Sequence, residues 1–322
     1  MTATPDILAH LRRRERWRLW EVAIWFALVA VIVNFPSRAA LVNEALIAGL
    51  FALSLDLILG LTGVVSLGQA AFFGLGGYTA AITANAGYDN PLLGLVAAIV
   101  PAGLVGLATA PLLLRGADLT RLMVTMGVAL SLGELANRNS DWTGGADGLN
   151  FTVAPLFGRI SIGSIGDGPR NAALFSLAVL FILFFLARRL ARSPFGISLA
   201  AVRENRLRAG ALGVSSSRRI VAIYTVAAVY AGIAGALLAE TTQIVSLDLF
   251  EFHRSADVML MLIIGGAGWL YGGILGAGVF IVVRDVVSAA TPEYWEFWIG
   301  ALLVALVLTG RERLKRLVRF DR

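Results

Sequence analysis

The 322-residue chain contains no cysteine and only two histidines, and 15% of its residues are charged. Without cysteine it can form no disulfide framework, no thiolate metal site and no cysteine nucleophile. His10 and His253 both lie outside the apolar runs, so we predict no metal site. An intramembrane enzyme would need a clustered acid, base, nucleophile or metal ion. We therefore expect that this chain is not an enzyme.

Apolar residues are abundant in this chain and make up 58% of it, together with 35 glycines. An ordinary soluble domain has about 25% charged residues, which is well above the fraction found here. A lipid-facing exterior can accommodate so much apolar surface, and glycine lets membrane helices approach closely. The composition therefore predicts an all-α, polytopic membrane protein.

The apolar runs have the length of membrane-spanning helices, each of which needs about 20 apolar residues. The stretch 257–290 is too long for one crossing, and its glycine-rich centre predicts two short helices joined by a turn. We expect about ten transmembrane helices, some of them short or broken. They are predicted near 17–35, 41–61, 66–87, 92–114, 119–137, 171–190, 219–240, 257–270, 273–290 and 294–310.

The basic residues indicate an orientation in the membrane. With the N-terminus inside, 21 of the 27 Lys and Arg residues fall in segments predicted to be cytoplasmic. This bias follows the positive-inside rule, and it places both termini in the cytoplasm. The first apolar run follows five arginines and lacks a cleavage site, so we expect it to remain as a signal anchor. The net charge of +6 is therefore better explained by membrane topology than by nucleic-acid binding.

Two hydrophilic segments interrupt the predicted spans. Residues 138–170 are predicted to form an outer loop that is long enough to be functional. Residues 191–218 form an inner segment, where Ser193 and Pro194 predict a helix start and Gly213 suits a helix end. An apolar stripe at helical spacing consists of Leu199, Val202, Leu207 and Ala211. The pattern fits either an interfacial helix lying on anionic lipid or a docking helix for a cytoplasmic partner.

Three polar residues inside the predicted spans are candidates for a substrate pathway, because a polar group at membrane depth is costly. They are Asp56, Gln69 and Glu134. Asp56 has no cation at helical spacing in its own segment, so any charged partner must lie on another helix. Glu134 can form an i,i+4 salt bridge with Arg138, and this structural role is an alternative to a solute contact.

Four glycines around the third predicted span can break a membrane helix or allow it to pack closely: Gly60, Gly63, Gly68 and Gly74. Backbone freed by such a break must be buried in protein or line a wet cavity. Discontinuous helices can then offer N–H dipoles to a carboxylate and carbonyl groups to an ammonium. The alternative is simple packing through small residues.

Four stretches, in order along the chain, resemble the branched-chain amino acid ABC transporter permease family, specifically its LivM-type membrane subunit. They are the glycine-rich run 57–74, the outer motif 142–149, the inner segment 193–214 and the late glycine motif 265–277. The resemblance covers about residues 45–285. Asp56 stands where the family usually has Asn, and Gln69 where His is frequent. Trp269 and Gly273 replace a small polar residue and a proline.

The resemblance implies that residues 1–322 form a single transmembrane domain of an ABC importer in the bacterial inner membrane. The family translocates branched-chain or related amino acids and similar small polar solutes by alternating access. It implies ATPase coupling through Ala200, Arg203, Glu204 and Gly213. It also implies an outer mouth at Thr143, Gly144, Gly145, Asp147 and Gly148.

The same resemblance implies several partners. They are two ATP-binding cassette subunits, a second related permease in a heterodimer, and a periplasmic solute-binding protein. The chain has no G-x-x-x-x-G-K-[ST] phosphate cradle, so ATP and Mg²⁺ are expected on the partner subunits and no cofactor on this chain. A self-sufficient secondary transporter is the alternative, although such proteins often show an internal repeat and a charged relay, and neither is clear here.

Overall fold

The structure is a computed structural model that describes residues 19–301, except 115–117, 157–159, 164–167, 292–293, 295–296 and 299. The basic segments 12–18 and 311–322 lie outside the described residues, as does most of the predicted span 294–310. We use "inner" for the end of the bundle that carries residues 193–215, and "outer" for the opposite end.

The described part of the chain is almost entirely helical, with a helix at each of the first nine predicted spans. The helices are α1 (Leu19–Asn34), α2 (Ala39–Thr62), α3 (Gln69–Asn85), α4 (Pro91–Leu113), α5 (Asp118–Arg138), α6 (Ser140–Thr143), α7 (Gly168–Arg192), α8 (Pro194–Glu204), α9 (Arg206–Ala211), α10 (Ser216–Thr242), α11 (Phe252–Gly265) and α12 (Leu270–Ala290). Two short strands, β1 (Leu149–Asn150) and β2 (Ile244–Val245), pair antiparallel.

Within the described residues, six helices are long and apolar enough to cross a membrane. They are α2, α4, α5, α7, α10 and α12, and α1 is a shorter apolar helix. The all-α, multi-pass architecture is therefore confirmed, whereas the count of ten crossings and the orientation of the termini stay predictions. The stretch 257–290 does divide at a glycine turn, which runs from Gly266 to Trp269 between α11 and α12.

The core is built around the two most deeply buried of these six helices, α2 and α10. In α2 and α10, 78% and 72% of the most apolar stretch is buried, against 17% in α5. Helix α2 packs against α7, α10 and α12, and α10 packs against α3 and α4. A helix that is hydrophobic all round belongs in an interior, whereas α4 and α5 present exposed apolar faces that suit lipid.

Small residues bring the core helices into close contact. A Cβ atom on Gly76 of α3 would lie 1.9 Å from the carbonyl oxygen of Gly232 on α10. One turn further along α10, a Cβ on Gly235 would lie 1.8 Å from the carbonyl oxygen of Phe73. The hydrophobic effect contributes little to the association of helices inside a membrane. The close backbone contact stabilises this pair through van der Waals packing instead.

Candidate functional site

A break in the helical backbone lies between α2 and α3, and several of its residues are buried inside the bundle. Residues 63–68 are not helical, and hydroxyl groups accept hydrogen bonds from amides in and beside the break. Thr125 Oγ1 accepts from the Leu67 amide at 3.1 Å, and Ser255 Oγ accepts from the Ala70 amide at 3.0 Å. Amide groups freed inside a membrane need such internal partners, because no water is available to replace a helical bond.

The four glycines singled out in the sequence play two different parts. Gly63 ends α2 with a left-handed φ of 72°, and Gly68 precedes α3, where a Cβ would lie 2.8 Å from the Thr125 carbonyl oxygen. Gly60 and Gly74 are not at the break, since both remain inside helices. A Cβ on Gly74 would lie 2.6 Å from the Phe250 ring, so this glycine permits close packing.

Asp56 and Arg203 meet at the inner end of α2, in a cluster that we call the inner junction (Asp56, Gly60, Arg203 and Gly268). Asp56 is 1% exposed, and its Oδ1 accepts a 2.6 Å hydrogen bond from the Gly268 amide in the glycine turn. Arg203 Nη1, on α8, donates to the Gly60 carbonyl at 2.5 Å. The Arg203 guanidinium is also close enough to attract the Asp56 carboxylate.

The inner junction joins three parts of the molecule that are far apart in sequence. Gly60 is among the last four carbonyl-bearing residues of α2, which have no partner within the helix. The Arg203 guanidinium satisfies this carbonyl and adds a positive charge at the negative end of the helix dipole. Asp56 in turn holds the turn between α11 and α12. The inner segment is therefore attached directly to the membrane core through a charged hydrogen bond.

The inner segment starts where the sequence indicates. Ser193 caps α8 by accepting a hydrogen bond from the Gly196 amide, and Pro194 occupies the first turn. Leu199 and Val202 are buried, in agreement with the predicted apolar stripe. Ala200 and Glu204 lie on the exposed side of α8, where they are available to a partner.

The second half of the predicted stripe is wrong, because the segment is two helices and not one. Asn205 adopts extended backbone (φ −159°, ψ 107°), and its side chain caps α9 by accepting from the Arg208 amide. The break turns the following residues, so that Leu207 is 88% exposed. Gly213 follows the end of α9 with a φ of 81°, as expected for a residue after a helix C-terminus.

The three candidate pathway residues lie in different surroundings. Gln69 begins α3 at the helix break and is fully buried, and within the described residues neither of its amide atoms has a hydrogen-bond partner. Glu134 is exposed and forms the anticipated i,i+4 salt bridge with Arg138 at 2.7 Å. Asp56 belongs to the inner junction. The structure therefore leaves Gln69 as the candidate closest to the broken backbone.

Residues 143–149 of the outer motif form a compact turn at the outer end of α5. Thr143 Oγ1 donates to the Asn139 carbonyl at 2.9 Å. Gly144, Gly145 and Gly148 all have φ between 56° and 72°, a region that other residues rarely adopt. A Cβ on Gly148 would lie 2.4 Å from the Val245 carbonyl oxygen, next to the β1–β2 pair. Asp147 is left exposed at the tip of this turn.

Sequence reasoning overlooked a buried carboxylate in the outer half of the bundle. Glu240 on α10 is 2% exposed, and its oxygens have no hydrogen-bond partner among the described residues. A Cβ on Gly94 of α4 would lie 2.3 Å from its Oε1. The sequence does contain an indication of this group, since Glu240 is an acidic residue at the end of the apolar run 219–240.

An ion pair near the inner end was also overlooked. Glu21 on α1 and Arg188 on α7 are joined at 2.5 Å, with both side chains 6% exposed. Sequence separation hides this pair, because the partners are 167 residues apart. It ties α1, which otherwise has few neighbours in the described structure, to the bundle.

A bundle of apolar helices with a helix break in its core and short polar helices at its inner end is the architecture of a multi-pass membrane protein. A family model described as branched-chain amino acid transport system / permease component matches residues 37–307. The chain belongs to this family, as its motifs predicted. No solved structure matches it.

Among the relatives are two high-affinity branched-chain amino acid transport system permease proteins LivM. The one from Salmonella typhimurium is 30% identical over 91% of this chain and 74% of the relative, and the one from Escherichia coli K12 is 30% identical over 84% and 68%. The autoinducer 2 import system permease protein LsrC from Enterobacter sp. is 28% identical over 91% of this chain and 85% of the relative. These relatives are transport permease subunits and not enzymes.

Proposed function

We propose that this chain is a permease subunit of an ATP-driven ABC importer in the bacterial inner membrane, with both termini in the cytoplasm. It moves branched-chain or related amino acids, or similar small polar solutes, by alternating access. Its partners are two ATP-binding cassette subunits, which hold ATP and Mg²⁺, a second related permease and a periplasmic solute-binding protein. The chain itself hydrolyses nothing.

The observation that carries this proposal is the inner junction. A partner ATPase that binds the exposed side of α8 and α9 would move Arg203 and, with it, the Gly60 carbonyl at the end of α2. Through Asp56 the same displacement reaches Gly268 and the turn between α11 and α12. This arrangement gives a short mechanical route from a cytoplasmic docking surface to two membrane helices.

The solute pathway is proposed to pass the helix break beside Gln69. A buried amide with unsatisfied donor and acceptor, next to the N-terminus of a 17-residue helix, offers complementary groups to a small polar solute. The solute remains a proposal, because LsrC imports autoinducer 2 according to its name, whereas LivM serves branched-chain amino acids. Leucine and autoinducer 2 are therefore the first two solutes to compare.

The outer turn 143–149 is proposed as the contact for the solute-binding protein. The three left-handed glycines hold a rigid shape, and Asp147 and Trp142 are exposed beside it, with Trp142 73% exposed. Replacing Asp147 with Ala should leave assembly of the complex unchanged while weakening binding-protein-stimulated transport. Unchanged stimulation would remove the turn from the docking surface.

The test of the whole proposal is affinity purification of the full chain from its native membrane in mild detergent, followed by mass spectrometry. We expect an ATPase and a second permease to co-purify, and the ATPase to be lost when Arg203 and Glu204 are both changed to Ala. Arg189→Ala is the matched control, because Arg189 is an exposed arginine outside the inner segment. A chain that purifies alone and moves solute in liposomes without ATP would instead establish the secondary transporter.

A further inference from the structure

Between β2 and α11 the chain turns back into the bundle and runs along α3. A Cβ atom on Gly77 of α3 would lie 2.9 Å from Leu249 Cδ1, so these two residues are neighbours. Further along, Ser255 Oγ accepts a hydrogen bond from the Ala70 amide at 3.0 Å. Residues 249–255 therefore descend along α3 from its outer half to the helix break.

Helix geometry places this stretch deep in the membrane. Helix α3 ends at Asn85, shortly before the candidate span α4 begins, so Asn85 marks the outer limit of the apolar layer. A helix rises about 1.5 Å per residue, which puts Gly77 about 12 Å and Ala70 about 22 Å below that limit. In an apolar layer about 30 Å thick, these depths lie on either side of the midplane. Phe250 also packs against Gly133, which lies inside the candidate span α5.

One face of this stretch is apolar and buried, whereas the other carries ionisable side chains. Leu249 and Phe250 are buried against α3 and α5. The opposite side, which we call the polar face, consists of Asp248, Glu251, His253 and Arg254. Arg254 Nη2 donates to Asp248 Oδ2 at 2.5 Å, and His253 Nδ1 lies 3.0 Å from Glu251 Oε2. The described residues cover this face only in part, since the Arg254 side chain is 30% exposed and that of Glu251 61%.

Lipid hydrocarbon is an unsuitable neighbour for the polar face. Ionisable side chains at membrane depth are costly, and they almost always face the bundle interior or a water-filled cavity. The backbone leads to the same conclusion, because Ser246 and Glu251 are extended and Leu247–Phe250 form a 3-10 helix. Non-helical backbone at this depth is tolerated only where it is buried in protein or lines water. The described residues do not bury the polar face, so water is the neighbour that satisfies both its side chains and its backbone.

A dry contact with another protein is the other arrangement that would keep lipid away. It would take four ionisable groups out of water, and the cost of desolvating ion pairs can exceed their mutual attraction. The connection to the helix break also favours water. Ser255 follows Arg254 directly and bonds the Ala70 amide, and the neighbouring Gln69 is fully buried, with its amide atoms unpartnered among the described residues. Polar groups thus continue from the polar face to the break.

We propose that the polar face lines a water-filled pathway along which a small polar solute reaches the helix break from the outer side. This inference rests on the proposed function and deepens it, because it names the surface that the solute passes before Gln69. Glu251 has the most exposed side chain of the four and is expected to contact the solute.

The test is the reaction of single-cysteine variants with a cationic, membrane-impermeant methanethiosulfonate, in membrane vesicles that contain the full chain and its native partners. The chain has no cysteine of its own, so the introduced thiol is the one site of reaction in the purified chain, where the mass increase is measured. We expect Glu251→Cys and His253→Cys to react about tenfold faster than a lipid-facing control, because the thiolate is the reactive form and apolar surroundings suppress it.

The matched control is Leu104→Cys on α4. Leu104 is 63% exposed on an apolar face, and the nearby Gly106 packs against Phe72 of α3, so this position lies at a similar depth. Tyr88→Cys is the control for full access to water, because Tyr88 is 64% exposed in the connection between α3 and α4.

Reaction on the polar face should also block transport. Uptake of leucine or of autoinducer 2, whichever the unmodified complex takes up, is measured before and after treatment with the reagent. Uptake should be lost in Glu251→Cys and His253→Cys, since the bound group would obstruct the pathway. The Tyr88→Cys variant should react as fast and keep its uptake.

Two outcomes would overturn the proposal. Reaction of both polar-face variants as slow as that of Leu104→Cys would show that lipid or protein covers this face. Fast reaction with unchanged uptake would show a wet crevice outside the solute pathway. Two positions are used so that one of them gives the result if the other variant fails to reach the membrane.

Failure of this inference and failure of the proposed function are distinguishable. Fast reaction and blocked uptake in a chain that transports without ATP would keep the pathway and remove the importer. Slow reaction in a complex that contains an ATPase would keep the importer and remove the polar face from the pathway.

Discussion

Replacing Arg203 with Ala tests the physical link between the inner segment and the membrane core. The variant removes a charged hydrogen bond to the Gly60 carbonyl, and it leaves that carbonyl without a partner at the end of α2. A hydrogen bond to a charged group contributes about 1.5–3 kcal/mol, and an unsatisfied, partly buried acceptor costs about 1–3 kcal/mol. Because Arg203 is exposed, the lower end of this range is the appropriate expectation.

A loss of about 1.4 kcal/mol corresponds to a tenfold change in an equilibrium constant. If Arg203 transmits movement of the inner segment, solute transport by the reconstituted complex should fall about tenfold while basal ATP hydrolysis continues. The assay is solute uptake into liposomes, measured beside ATP hydrolysis in the same preparation. Arg203→Lys should restore part of the coupling, since lysine keeps the charge but not the planar guanidinium.

A double-mutant cycle separates the contribution of the Asp56 carboxylate to transport coupling from the contribution of the Arg203 hydrogen bond to the Gly60 carbonyl. Asp56→Asn keeps an acceptor for the Gly268 amide but removes the charge that attracts Arg203. If the charge matters, the effect of Arg203→Ala will be smaller when it is combined with Asp56→Asn, and the two changes will not be additive. Full transport coupling in Arg203→Ala, or an equal loss in the Arg189→Ala control, would refute the reasoning.

Two further predictions concern the packing and the helix break. Gly76→Val should lower the unfolding temperature of the detergent-solubilised chain, because its side chain would overlap the Gly232 backbone and overpacking costs about 1–3 kcal/mol or more. Gly127→Ala, with open space around it, should be tolerated, and an equal loss in both variants would argue against the close α3–α10 contact. Thr125→Val should cost about 1–3 kcal/mol by leaving the Leu67 amide unsatisfied. Thr79→Val is the control, because the Thr79 hydroxyl donates to the Leu75 carbonyl within its own helix. If Thr79→Val lowers stability as much as Thr125→Val, the loss does not come from the helix break.

The helices were the most predictable part of this protein. Apolar runs such as 92–114 and 219–240 each coincide with a helix, α4 and α10, within three residues at either end. Whether a segment prefers the membrane depends on its own side chains and on its own backbone hydrogen bonds. The family motifs were equally visible, because they are contiguous along the chain.

Local conformation was less predictable where a single residue interrupts a helix that the apolar spacing predicts. The apolar spacing from Leu199 to Ala211 fits one helix, but the Asn205 side chain offers the backbone an alternative cap. A short polar side chain competes with helical hydrogen bonds in this way, and spacing alone cannot show which of the two prevails. The exposure of Leu207 follows from that single residue.

Composition, apolar length and motif order alone determined the class, the helical segments and the family of this protein. Tertiary structure decided which groups meet: Asp56 finds Gly268 at a separation of 212 residues, and Arg203 finds Gly60 at 143. It also decided that Gly63 and Gly68 flank the break, whereas Gly60 lies inside α2 against the glycine turn. The physical reason is that membrane insertion depends on local hydrophobicity. Partner choice depends instead on non-local packing, through which each buried polar group must find its partner.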